Sequence, residues 1–86
     1  MAHLQFIADG EDITGQPFAE ENATEVRAWD EDGTCLGAVT LTRAFTWSAS
    51  GSDVVRWTDY SEIEYQTWEP ALAALLAVAG LELPSY

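Results

Sequence analysis

The chain offers little material for metal or covalent chemistry and a large excess of one charged group. A zinc site needs His, Cys or carboxylate ligands in a cluster, yet the single histidine, His3, and the single cysteine, Cys35, stand 32 positions apart. The reading is of a protein with no metal and no other cofactor. Asp30, Asp32 and Gly33 resemble the opening of a calcium loop, but the glycine comes too early and no Glu stands at the closing position. That segment reads instead as a turn. A nucleophilic Cys35 or serine would need His3 as its base, and His3 lies among the first residues, so Cys35 reads as a small buried thiol. Gly10, Gly15, Gly33 and Gly37 lack both the spacing and the following helix of a phosphate-binding loop. Carboxylate pairs are so abundant that none stands out as a general acid and base. The sequence is therefore read as that of a non-enzyme, with no catalytic residues.

What remains is charge. Fifteen Asp and Glu face three Arg and no Lys, a net charge of -12 on 86 residues. DNA presents about one negative charge per 1.7 Å of helix axis, and its binders neutralise it with Lys and Arg. Direct nucleic-acid binding is excluded on that ground, and a field of one negative sign likewise repels an anionic membrane while attracting a basic surface. The expected partner is a basic protein surface, and the residues expected to meet it are Asp9, Glu11, Asp12, Glu20, Glu21, Glu25, Asp30, Glu31, Asp32, Asp59, Glu62, Glu64 and Glu69. Trp29, Trp57, Tyr60 and Tyr65 are candidate anchors among them, because aromatic residues concentrate interface energy. In its sharpest form the expectation is a nucleic-acid mimic that occupies the groove of a nucleic-acid-binding effector, an inhibitor of the anti-CRISPR or anti-restriction type that phages and mobile elements use. That form rests on size and charge. The competing explanation is that the charge serves only solubility or adaptation to a salt-rich cytoplasm. The chain is then an accessory or immunity-type subunit that assembles through its apolar C-terminal segment.

Length and composition bound the body that carries this charge. Eighty-six residues fit one small acidic domain, 1–86. An apolar fraction of 48%, with four Trp, three Tyr and three Phe, is more than a disordered acidic chain carries. A lone cysteine and the lack of a basic start followed by an apolar run predict a cytoplasmic protein. The longest apolar run, Ala71 to Leu81, is well short of the roughly 20 residues that cross a bilayer.

The elements that must position the acids can be read in turn. Leu4, Phe6 and Ala8 alternate with His3, Gln5 and Ile7, predicting a first strand that ends at Asp9-Gly10. Residues 9–22 read as mostly loop, and Thr24 to Trp29 as a strand leading into the turn Asp30 to Thr34. Beyond it Val39, Leu41, Phe45 and Trp47 share the odd positions of one strand, with Arg43 interrupting the apolar face. Either a bulge shifts the register, the strand bends there, or, the preferred reading, Arg43 pairs with a carboxylate at the sheet's edge. The acid-free segment from Gly33 to Ser52 is expected to be the buried middle of the fold. Ser48 to Asp53 reads as a turn, Val54 to Thr58 as its return strand, and residues 60–66 as either helix or strand.

The end of the chain reads as a helix. Thr67 can cap a helix from Trp68 through Ala79 to Gly80, with Pro70 tolerated in the first turn. Trp68, Leu72, Leu75, Leu76 and Ala79 form its apolar stripe, and Ala73, Ala74 and Ala77 leave the other side small enough to meet a second copy as a homodimer. The whole is predicted to be an α+β domain: an antiparallel sheet of four or five strands, built from two hairpins, with the C-terminal helix packed on one face.

Overall fold

A computed structural model describes residues 3–55 and 64–83. It contains strands β1 (His3–Ala8), β2 (Glu11–Asp12), β3 (Glu25–Trp29), β4 (Cys35–Leu41) and β5 (Trp47–Ser50), with helices α1 (Ala19–Asn22) and α2 (Trp68–Ala77). The strands form one antiparallel sheet in the order β2-β1-β3-β4-β5. The α+β expectation holds, with five strands and the C-terminal helix on one face.

Residues 9–22 are more ordered than their composition predicts. Asp9 and Gly10 both take positive φ, 51° and 85°, the backbone of a two-residue hairpin turn whose twist matches that of its strands. The short return strand β2 follows directly. The hairpin then continues through backbone and hydroxyl bonds: the Ile13 amide donates to the Phe6 carbonyl at 2.8 Å, and the Phe6 amide donates to Thr14 Oγ1 at 2.8 Å. These bonds need no apolar alternation, so the acidic sequence conceals the strand.

The longest predicted strand is two strands. β4 stops at Leu41, and the hydroxyl of Thr42 accepts the amides of Ala44 and Thr46 to close a turn over 42–46. Chain reversal there places Leu41 opposite Trp47 and Val39 opposite Ala49, so the odd-position alternation continues across a hairpin. Arg43 is exposed on the turn rather than paired at a sheet edge, and Phe45 is 78% exposed. The expected turn at 48–53 gives way to β5 itself. Its end is held by Ser52, whose hydroxyl donates to the Leu36 carbonyl and accepts the amides of Val54 and Val55. Val54 and Val55 lie in a bend, not a strand, and Arg56 to Thr58 lie outside the described residues. So does most of 60–66, but Tyr65 forms an isolated antiparallel bridge with Trp47. The central strand is therefore β3, and the acid-free Gly33 to Ser52 supplies the β4–β5 side of the sheet.

Opposite residues on antiparallel neighbours share a face. One face carries Leu4 and Ala28, then Phe6, Val26, Val39 and Ala49, then Leu41 and Trp47. Against it α2 buries Trp68, Ala71, Leu72, Leu75 and Leu76, each leucine contributing about 1.5–3 kcal/mol from removal of apolar surface. Phe6 and Trp68 meet edge to face, with ring centroids 5.3 Å apart and planes at 83°. The helix starts after Thr67, whose extended backbone suits a cap although its hydroxyl makes no capping bond. It ends at Ala77 rather than continuing to Ala79, because Gly80 takes φ 73° and the Leu81 amide reaches back to the Leu76 carbonyl. Ala79 leaves the stripe and is exposed, while Ala71 joins it. The opposite face carries Gln5, Arg27 and Ala38 in one row and Ile7, Glu25 and Thr40 in the next.

Candidate partner-binding surface

Asp59 and Glu62 lie outside the described residues, which leaves thirteen of the fifteen acids to place. None of the thirteen is buried. The fold sorts them into separate groups. Asp9, Glu11 and Asp12 follow the C-terminal end of β1, with Glu11 and Asp12 on the outermost strand. Charge on such a strand also blocks edge-to-edge pairing with another sheet. Asp30, Glu31 and Asp32 occupy the β3–β4 turn at the far end of the sheet, separated from the first group by the length of β3, about 17 Å for five residues at 3.4 Å each. Glu25 stands on the open face in an ion pair with Arg27. Glu64 is exposed just before the Tyr65 bridge, Asp53 just after β5 and Glu82 beyond α2.

Glu20 and Glu21 on α1 come together with Glu69, in the first turn of α2, around one groove of about 360 Å³. Its remaining lining includes Leu41, Trp47 and Trp68. On the other side of α1 the same two glutamates border a second groove of about 500 Å³ lined by Leu4, Phe6 and Phe18. α1 is thus an acidic ridge between two grooves of mixed polar and apolar lining. Its position follows from burial of Ala19 and Ala23 in the core, which turns Glu20 and Glu21 outward.

Two acids hold the fold as well as bearing charge. Asp12 accepts the Thr14 amide at 2.9 Å and the Gln5 side-chain amide at 3.2 Å, and Gln5 in turn accepts the Trp29 indole N–H at 2.9 Å. Asp32 accepts the Thr34 amide at 3.0 Å. Hydrogen bonds favour the ionised form. The Thr14 hydroxyl first, then the Thr14 amide and Gln5, hold the Asp12 carboxyl below its ordinary value of 3.8. The Thr34 hydroxyl and then its amide do the same for Asp32. The signal was in the sequence as an Asp followed two positions later by Thr, the pattern of a side-chain turn.

The expected aromatic anchors divide. Trp29 is half-buried with its N–H donated to Gln5, and Tyr65 is half-buried against the core. Trp57 and Tyr60 lie outside the described residues. Phe18, which sequence reasoning did not single out, is 68% exposed and stands beside the acidic ridge. Cys35 is a free, half-buried thiol with its sulfur 3.9 Å from the Gly37 carbonyl, less enclosed than expected.

Among the described residues no group of three or more His, Cys, Asp or Glu is placed to hold a metal ion. No helix among them is long and apolar enough to cross a membrane. Comparison with protein-family models, with curated proteins and with solved structures yields no match.

Proposed function

We propose that this protein is a non-enzymatic binding module that docks on a basic protein surface in the cytoplasm. The observation that carries the reading is the excess of exposed acid over base. None of the thirteen described acids is buried, Arg27 is engaged by its neighbour Glu25, and Arg43 stands on a remote turn. The acids of α1 and α2 supply the docking centre, since Glu20, Glu21 and Glu69 converge where Leu41, Trp47 and Trp68 line a groove. Such a surface steers a cationic partner and fixes its register.

In its sharpest form the partner is a nucleic-acid-binding effector and the module is a nucleic-acid mimic, an inhibitor of the anti-CRISPR or anti-restriction type. Charge density supports it. The molecule is 31 Å long, a length over which duplex DNA carries about 18 charges, against a net charge of -12 here. Charge reversal tests the reading. Joint Glu20→Lys, Glu21→Lys and Glu69→Lys substitution should abolish capture of basic proteins, and high salt should release those held by the unaltered chain. Capture that persists through both changes rejects it.

A second reading has its own observation. Beyond the end of α2, Val78 is 51% exposed and Leu81 39% exposed, next to the exposed Ala77. An accessory subunit assembling through this apolar end, alone or as a homodimer, would lose its complex on Ala77→Glu substitution and keep it on reversal of Asp30 and Asp32.

A further inference from the structure

Phe18 is a large apolar side chain that neither packing nor backbone preference explains. It sits at φ 62° and ψ 25°, a left-handed conformation that side chains other than Gly, Asn and Asp rarely take, and 68% of it is exposed. It helps line the groove of about 500 Å³ that also meets Leu4 and Phe6, with Glu20 and Glu21 bordering the same space. A recess with Phe18 exposed on its wall, His3, Thr14 and Gln16 beside it and two carboxylates at its border has a defined complement. We propose that this groove receives a basic segment of the partner protein, in which one apolar side chain is flanked by Lys or Arg. The apolar side chain packs on Phe18, and the flanking cations face Glu20 and Glu21. This rests on the acidic-docking reading and extends it to the other side of α1, with a side-chain chemistry for the partner. A second copy is the poorer occupant, because it would bring two chains of net charge -12 together around two pairs of glutamates.

Two labelled synthetic peptides of equal charge test the proposal, one alternating Lys with Leu and the other Lys with Ser. Fluorescence anisotropy against the full chain should show the Lys-Leu peptide binding about tenfold tighter, the effect of burying one apolar side chain. Phe18→Asn, which suits the left-handed backbone, should raise the melting temperature and remove the difference between the peptides. Opposite effects on stability and binding separate a recognition role from a structural one. Joint Glu20→Gln and Glu21→Gln substitution should weaken both peptides. Equal affinity for the two peptides, or a preference that survives Phe18→Asn, overturns the groove while leaving acidic docking in place. Failure of both peptides to bind overturns the docking reading and the groove with it. A dimer in sedimentation that Phe18→Asn dissociates assigns the groove to a second copy instead.

Discussion

Leu75 packs so closely on Gly37 that a Cβ built on the glycine would lie 2.5 Å from Leu75 Cδ2 and 2.8 Å from the Ser50 carbonyl oxygen. Gly37 also takes φ 148°, a region that side chains rarely adopt. The absence of a side chain on β4 is what lets α2 approach the sheet, and the helix carries Glu69 to its place beside α1.

Gly37→Ala is accordingly expected to cost about 3 kcal/mol, from overpacking and backbone strain together. The shift in urea midpoint measures it. Adding Leu75→Ala makes room for the new methyl group, so the double variant should lose less stability than the two single losses combined. Strict additivity would mean that the two residues do not press on one another.

Phe45 repeats the anomaly of Phe18 at the tip of the β4–β5 hairpin, with φ 61° and 78% of its surface exposed. The turn geometry asks for Gly or Asn at that position. Phe45→Asn should therefore stabilise the fold by about 1 kcal/mol, seen as a rise of about 4–8 °C in melting temperature for a domain of this size. A fall would show that the phenyl ring makes contacts that offset the strained backbone.

The acid limb of stability should trace in part to Asp12 and Asp32. Their hydrogen-bonded carboxyls are held below the ordinary 3.8 in the folded chain. A carboxyl whose pKa is lowered by folding stabilises the fold above its unfolded value, and that contribution fades as pH falls through the folded one. Asp12→Ala and Asp32→Ala should each reduce stability near neutral pH, and the gap from the unaltered chain should narrow below pH 3.8. Glu11→Ala, which removes a charge beside Asp12 without removing these hydrogen bonds, controls for the relief of general charge repulsion. A gap that stays constant with pH would remove the carboxylates from this role.

The layers of the fold were legible where alternation and helical spacing carry the signal. Leu4 and Phe6 announce β1, Val26 and Ala28 announce β3, and the spacing of Trp68, Leu72 and Leu75 announces α2. The errors cluster where side-chain hydroxyls rather than apolar periodicity decide the path. Thr42 turns the chain between two segments of matching parity, and Thr14 closes a hairpin whose return strand is entirely acidic. The candidate surface was legible in composition but not in grouping. Glu20 and Glu69 are 49 positions apart in the chain, and only the packing of α1 and α2 on the same sheet brings them to one groove. Phe18 gave no signal at all, because its exposure depends on a backbone angle that local sequence does not specify.

A basic partner that docks on the acidic surface through its nucleic-acid-binding site must exchange that surface for duplex DNA. The most direct measurement is capture of proteins from a cell lysate on the immobilised chain, followed by elution with duplex DNA. The captured proteins should be basic nucleic-acid binders, duplex DNA should release them, and joint reversal of Glu20, Glu21 and Glu69 should leave none bound. Proteins that resist elution by DNA and bind the charge-reversed variant equally well would contradict docking through this surface.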